Sequence, residues 1–330
     1  MFRFTLLNPR ALAAAAAVLS LLTGAACGQE GIVTTTSSSG SGSGSSSSGT
    51  GGAGGSGPVG TPLTIVNWNT HNFWDTQGTL GVDAQTAADY QKKRQAVGAT
   101  LKDLNPDIAV LPEVETKAVL DDLNKSELGG AYATSLIDTK DDREIGILSR
   151  IPIDMVVSHA ADTFTLHNMP GPVFTYTRDC VEVHVTFNSR KLILLGVHFR
   201  SKVAPDNPDK RWAEAEHTRG IADGLHTKDP TAGIVVLGDF NDLPGSSPFL
   251  AVQGMAPDIY TDAAAEVPSP NNYTFIYQGT KELIDHQMSN PIMAARLDKA
   301  SVLIKHGPGI DDGSPYASDH APVLAVYRFQ

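Results

Sequence analysis

Cysteine is almost absent: Cys27 and Cys180 are the only two in 330 residues. A disulfide-stapled scaffold is therefore excluded. Basic side chains are also in deficit, with 25 Lys and Arg against 36 Asp and Glu, a formal net charge of -11. The first 57 residues hold only Arg3, Arg10 and Glu30, so residues 58–330 carry 23 basic and 35 acidic side chains, a net of -12. Such a body argues against holding nucleic acid by a basic face alone. A phosphate-bearing substrate would need local cations, and a bound metal is the obvious source. The apolar run Ala11 to Leu22 falls short of the ~20 residues of a transmembrane helix. No repeat of roughly 20–50 residues is visible, which disfavours solenoids and propellers. What remains is a long, 41% hydrophobic chain able to bury one sizeable core.

Arg3 and Arg10, the apolar run, and the small residues Gly24, Ala25 and Ala26 follow the order of a secretory signal peptide over residues 1–27. The placement of Cys27 directly after them resembles a bacterial lipoprotein processing site, implying export with a lipid anchor to the membrane. Ordinary cleavage with full release is the competing reading. From Ser37 to Gly57, 19 of 21 residues are Ser or Gly, so residues 28–60 read as a flexible tether. Cys180 would be left as a lone, small, buried hydrophobe at a strand entry.

The pattern predicts strands at Leu63 to Asn69, Asp107 to Leu111, Ile145 to Leu148, Val181 to Phe187, Leu192 to His198, Ile234 to Leu237, Ile284 to Met288, Ser301 to Ile304 and Pro322 to Tyr327. Val181 to Phe187 alternates, with Glu182, His184 and Thr186 assigned to a wet face. The continuous runs at Ile193 to Leu195 and Ile234 to Leu237 suit strands covered on both faces. Helices are predicted over Asp89 to Leu104, closed by Asn105-Pro106, and over Pro208 to Thr227, with Trp212, Ala215 and Ile221 facing the core. The fold class is mixed α/β in one domain over residues 61–330, with sheets packed together and helices covering them.

Polar residues gather where these runs end. Asn69 follows the first strand and Glu113 the second. His198 ends another, Gly238-Asp239-Phe240-Asn241-Asp242 follows Ile234 to Leu237, Asp285 lies within a strand, and Ser318-Asp319-His320 precedes the last. These ends offer carboxylates, amides and imidazoles, and no Ser or Cys nucleophile with a base beside it. Oxygen-rich sets of this kind suit a hard divalent cation such as Mg²⁺.

Trp68-Asn69-Thr70-His71-Asn72, Leu111-Pro112-Glu113-Val114-Glu115, Gly146-Ile147-Leu148-Ser149-Arg150, Val197-His198-Phe199-Arg200-Ser201-Lys202, Leu237-Gly238-Asp239-Phe240-Asn241-Asp242, Leu283-Ile284-Asp285-His286 and Ser318-Asp319-His320-Ala321-Pro322 occur in that order. Together they resemble the endonuclease/exonuclease/phosphatase superfamily of DNase-I-like phosphoesterases, from about Thr64 to Tyr327. Arg211-Trp212-Ala213-Glu214-Ala215 is further similar to secreted bacterial members. The resemblance implies a four-layer α/β/β/α sandwich with the site at one rim. It implies that Glu113 holds the principal metal directly, and Asn69 directly or through water, with Asp319 contributing to a metal site. It implies that Asp239 orients or deprotonates water, Asn241 donates to a phosphate oxygen, Asp285 pairs with His320, and His198 contacts the phosphate from the other side. His71 stands where an acid is usual and Pro112 where a glutamine is usual. A neutral imidazole there would weaken a second metal or admit Mn²⁺ or Zn²⁺.

The remaining candidates carry blander readings. Arg143, Arg200 and Lys202 read as solvated loop charges that could reach substrate, and Trp212 as core. Trp74 is a candidate for stacking a base, and His71 is balanced between site and structure. The expected function is an exported, metal-dependent phosphoester hydrolase, monomeric, first of all a nuclease-like phosphodiesterase. A phospholipid phosphodiesterase of the sphingomyelinase kind or a small-molecule phosphatase is the alternative, and a catalytically silent binding module of the same fold is the outsider.

Overall fold

The computed structural model describes residues 59–78, 85–310 and 317–330. The leader at 1–27, with Cys27, and all but the last two residues of the tether at 28–60 lie outside the described residues. Among the described residues no helix is long and apolar enough to cross a membrane.

The strands run in chain order β1 (Thr61–Asn67), β2 (Ile108–Val114), β3 (Ala133–Ser135), β4 (Glu144–Ser149), β5 (Ile153–Ser158), β6 (Phe164–Thr165), β7 (Val173–Phe174) and β8 (Cys180–Phe187). They continue as β9 (Arg190–His198), β10 (Gly233–Asp239), β11 (Thr261–Asp262), β12 (Phe275–Tyr277), β13 (Thr280–Glu282), β14 (Asp285–Ser289), β15 (Leu303–Ile304) and β16 (Val323–Phe329). The α-helices are α1 (Ala87–Leu104), α2 (Lys117–Ser126), α3 (Pro208–Lys228), α4 (Ser247–Gln253) and α5 (Pro291–Ala294). One sheet has the order β15-β16-β1-β2-β4-β3 and the other β11-β14-β10-β9-β8-β5.

Three separate apolar clusters make four layers. Leu63, Ile65, Ile108 and Val110 of the first sheet meet Leu192, Leu194, Val235 and Leu237 of the second. On the outer face of the first sheet, Val66, Ala109 and Leu111 pack on Val97 and Leu101 of α1 and on Leu120 and Leu123 of α2. On the outer face of the second, Ile193, Leu195, Ile234 and Val236 pack on Ala213, Ala215 and Ala222 of α3 and Phe249 and Val252 of α4. This is why the central runs lack polar alternation: successive residues enter different cores, and both are dry. The four-layer α/β/β/α sandwich matches the expectation.

Local signals set the helix ends. Thr86 caps α1 by accepting from the Asp89 N–H, and Asn105 closes it in the left-handed region at φ 46°. Asn207 caps α3 ahead of Pro208.

Several expectations are corrected. Ser301 to Ile304 is not one strand: Lys299–Ser301 forms a 3₁₀ turn and only Leu303–Ile304 pairs. Glu182 is buried on the supposedly wet face of β8, because His159, 3.1 Å away, and His184 cover its carboxylate. Trp212 is half-buried and sits edge-on to His167, not in the core. Arg211 and Glu214 are buried in its stead. Arg211 binds Asp206 and Asp242 at 2.9 Å each, and Glu214 accepts the N–H groups of Arg200 at 2.6 Å and Thr177 at 2.7 Å. The inner face of α3 thus anchors loops that border the site. Cys180 is free and buried, with burial pushing its thiol pKa up, as its position at the strand entry suggests.

Candidate active site

The site is built where the two sheets end together. In the second sheet β10 lies between β9 and β14, and its last residue, Asp239, is in register with His198 on one side and Asp285 on the other. Gly238 makes this close approach workable. At φ 136° it adopts a conformation that side chains avoid, and a Cβ there would stand 2.0 Å from the Val197 carbonyl oxygen.

In the first sheet a bulge between Pro112 and Val114 shifts the β2–β4 register and leaves Glu113 at φ 67°. The bulge turns the Glu113 side chain out of the sheet's alternation and into the site. Its Oε1 accepts from Asn69 Nδ2 at 3.1 Å and its Oε2 from the Asn72 N–H at 2.8 Å. Burial alone would raise the Glu113 pKa. The neighbouring His198 and His320 rings and the hydrogen bonds from Asn69 and the Asn72 N–H outweigh it and bring it down to about 2.

Asn69 lies beyond the end of β1, in a segment that β2 still holds through Trp68 N–H to Val110 and Thr70 N–H to Pro112. Its Nδ2 donates to Asp239 Oδ2 at 3.0 Å as well as to Glu113, while its Oδ1 accepts the His71 N–H at 2.9 Å. The amide therefore turns its nitrogen, not its oxygen, toward the carboxylates. That geometry suits orientation of Glu113 or a contact through water better than direct ligation.

Asp239 Oδ1 accepts the Asn241 N–H at 2.7 Å. Burial and the adjacent Asp285 raise its pKa to about 7, against the opposing pull of His320, Asn241 and Asn69. His320 Nδ1 lies 2.8 Å from Asp285 Oδ2. Burial opposes its protonation, but the Asp285 charge and hydrogen bond, with Asp239 and Asp319, raise the His320 pKa to about 10. It is an imidazolium at neutral pH. His198 is the opposite case: burial and the Arg178 charge keep it neutral. Its Nε2 lies 3.4 Å from Asp239 and 3.7 Å from Glu113.

The Ser318-Asp319-His320 segment is pinned from several sides. Ser318 Oγ donates to the Asn69 carbonyl at 2.6 Å, and Trp68 Nε1 to the His320 carbonyl at 2.8 Å. Thr274 Oγ1 accepts the Ile284 and Asp285 N–H groups at 3.1 Å, and its carbonyl accepts from Ala321 at 2.7 Å.

A cavity of about 430 Å³ opens over these groups. Glu113, His198, Asp239, Asn241, Asp319 and His320 line it, while Asn69 and Asp285 stand behind as supports. All eight residues singled out from the sequence are thus gathered in one place. A larger hollow between α3 and α4, with Trp212 and Met255 on its wall, contains none of them.

The cavity wall also includes residues that sequence reasoning set aside or missed. Arg143 is not a free loop charge: its Nε donates to Asn72 Oδ1 at 2.9 Å and lies 3.7 Å from Glu113 Oε2. Its guanidinium covers Trp74, 5.3 Å from the ring centre, so that face of Trp74 is not free to stack a base. Arg200 and His71 line the cavity, whereas Lys202 pairs with Asp242 at 3.1 Å. Arg178 and Phe275 carry no motif signal, and Asn72 closes the first motif without a role assigned to it. Position in the fold alone reveals them.

Asp239, Asp285 and His320 each place a ligand-type atom within 4.8 Å of the others. His320 and Asp285 are already joined by a hydrogen bond, so this trio is better read as a proton-handling group. Glu113 fits a divalent ion: it stays ionised while mostly buried, faces the cavity, and offers hard oxygen donors.

A cavity with an ionised carboxylate, a basic carboxylate and a carboxylate-backed imidazolium, at the rim of this sandwich, defines a metal-dependent phosphoester hydrolase. The sequence model of the Endonuclease/Exonuclease/phosphatase family matches residues 66–320, and the chain belongs to that family. No curated protein matches in sequence. Among solved structures, the chain is similar to TDP2 of D. rerio complexed with a single-strand DNA product, at 15% identity and TM-score 0.56 over 82% of this chain and 100% of that one. It is also similar to the catalytic domain of human nocturnin with bound sulfate, at 11% identity and TM-score 0.56 over 82% and 97%. A mannosyl-6-phosphatase of Bacteroides thetaiotaomicron gives 15% identity and TM-score 0.55 over 80% and 98%. These likenesses bear out the DNase-I-like fold.

Proposed function

We propose that the protein is an exported phosphodiesterase of the nuclease type that attacks phosphorus in line with water and forms no covalent enzyme intermediate. The observation that carries this reading is the convergence of Glu113, Asp239 and His320 on one cavity in three different charge states. Glu113, oriented by Asn69, is the residue to hold a divalent ion, Mg²⁺ by the hardness of its donors and Mn²⁺ as a substitute. When bound, such an ion supplies positive charge to a non-bridging phosphate oxygen.

The protein's own groups handle the rest. Asp239, near pKa 7, takes the proton from the attacking water as the water oxygen bonds to phosphorus and the opposite P–O ester bond breaks, the leaving alkoxide taking its proton from solvent. Asn241 spends one amide N–H on the Phe199 carbonyl and keeps the other for a phosphate oxygen. The His320 imidazolium donates toward the same phosphate, with its tautomer fixed by Asp285. His198 faces the phosphate from the opposite wall. Arg143, Arg178 and Arg200 around the cavity supply locally the positive charge that the acidic body lacks.

Those three guanidiniums, with the DNA-product complex of D. rerio TDP2, support nucleic acid as the substrate. Export rests on the leader and anchoring on Cys27. A second reading has its own support: an adjoining hollow of about 270 Å³, walled by Val203, Phe275, Tyr277 and Ile284, would suit the apolar arm of a phospholipid. Incubating the full chain with DNA, RNA, sphingomyelin and sugar phosphates, with Mg²⁺, Mn²⁺ or EDTA, tests both. Hydrolysis of lipid alone would remove the nuclease reading.

A further inference from the structure

Glu214 takes no part in the chemistry above, yet α3 buries its side chain completely against loops that border the site. A carboxylate in such a place needs donors to offset its burial. Two loops supply them. Oε1 accepts the Thr177 N–H at 2.7 Å and the Thr177 hydroxyl, and Oε2 accepts the Arg200 N–H at 2.6 Å. Lys210, one turn back on α3, stands off at 4.0 Å.

The Arg200 N–H belongs to the peptide unit that it shares with the Phe199 carbonyl. That unit is trans, so its N–H and C=O point in opposite directions. An N–H held on Glu214 therefore directs the Phe199 oxygen away from Glu214. On that side the oxygen accepts from Asn241 Nδ2 at 3.0 Å and from Arg178 Nη1 at 3.2 Å. The flanking groups are fixed as well. The Phe199 N–H donates to the Asp239 carbonyl at 3.0 Å, and Arg211 Nη1 to the Arg200 carbonyl at 3.0 Å. One peptide plane thus connects a buried helix carboxylate to the amide assigned to a phosphate oxygen and to a guanidinium of the cavity wall. Thr177, the residue before Arg178, gives Glu214 a second hold on that guanidinium's loop.

Resting on the reading of Asn241 as a donor to the reacting phosphate, we infer that Glu214 is a positioning residue that aims Asn241 and Arg178 through the Phe199–Arg200 peptide. Both carboxylate oxygens are required. In Glu214→Gln one of them becomes an NH₂ group, which sets donor against donor at either Thr177 or Arg200.

A double-mutant cycle on the full-length protein separates this role from a general loss of packing. With Mn²⁺ and bis(p-nitrophenyl) phosphate, Glu214→Gln is expected to lower kcat by about 10-fold, since a misaimed donor costs less than a missing one. In the Asn241→Ala background the same change should cost less than about 2-fold. On single-stranded DNA, Glu214→Gln should also raise KM, and that rise should vanish in the Arg178→Gln background. Losses of equal size in the parent and in both backgrounds would overturn the inference, as would native kinetics in Glu214→Gln. If that variant does not fold, Glu214→Asp, which withdraws both oxygens by one methylene, carries the same cycle. The Asn241 side-chain amide gives a readout independent of turnover. Its NMR signals, identified by their absence in Asn241→Ala, should shift in Glu214→Gln, and unmoved signals would refute the positioning role. Failure of the underlying phosphoesterase reading shows elsewhere, as no Mn²⁺-dependent hydrolysis of bis(p-nitrophenyl) phosphate by the native chain.

Discussion

The side-chain amide of Asn69, just past β1 of one sheet, lies 3.0 Å from Asp239 at the end of β10 of the other, and the same nitrogen reaches Glu113 at 3.1 Å. One NH₂ group thus sets the spacing between the metal-holding carboxylate and the general base. Removing it in Asn69→Ala deletes a donor to both. Turnover should fall by about 10²-fold, the usual scale for a single positioned donor. Because the bond lowers the Asp239 pKa, its loss should also move the acidic limb of the pH–rate profile to higher pH. An unchanged limb would separate Asn69 from Asp239.

Asp285 acts on two neighbours with the same sign. It raises the pKa of Asp239 and of His320. In Asp285→Asn both limbs of the pH–rate profile should therefore shift to lower pH, with kcat down about 10²-fold or more. Stability follows the same pair. The His320 pKa is raised in the fold, so its contribution is complete below the ordinary histidine value of 6.5 and is lost as pH rises through about 10. Thermal denaturation should show the native chain losing more stability than Asp285→Asn across that window.

Gly238 sets the approach of β10 to β9. Gly238→Ala adds the strain of φ 136° to a Cβ only 2.0 Å from the Val197 carbonyl oxygen. A loss of about 3 kcal/mol, or roughly 6–12 °C in Tm, is expected, with activity lost beyond that because Asp239 moves with the strand. A Tm within error of the native value would show that the strand end can relax.

The strand ends were legible because the site residues flank apolar runs, and Asp239 after Ile234 to Leu237 is the plainest case. The register of Asp239 with both His198 and Asp285 was not, since it depends on strand order rather than local pattern. The bulge that turns Glu113 inward also left no signal beyond Pro112, which gives up a strand N–H. Trp212 misled, and Lys93 was not singled out. The inner face of α3 meets polar loops, so it buries Arg211 and Glu214 and leaves the aromatic outside. Lys93 sits in a run with Lys92 and Arg94, and only the fold brings its Nζ to the His71 and Ala317 carbonyls. Arg178 precedes β8 in a loop with no periodicity, and nothing but three-dimensional placement assigns it to the cavity.

That placement gives the last prediction. Arg178 donates to the Phe199 carbonyl at 3.2 Å, beside His198, and with Arg143 and Arg200 it faces the cavity of an otherwise acidic protein. If the substrate is single-stranded nucleic acid, neutralising this guanidinium in Arg178→Gln removes one phosphate-directed cation. KM should rise while kcat changes less, and the dependence of log kcat/KM on log salt should flatten by about 0.7. Arg178 also helps to keep His198 neutral, so the variant should show a raised His198 pKa in imidazole NMR titrations. On bis(p-nitrophenyl) phosphate, which carries a single charge, the KM effect should be much smaller. Equal losses on the small diester and on DNA would mean that Arg178 supports the reacting phosphate itself rather than its neighbours along the strand.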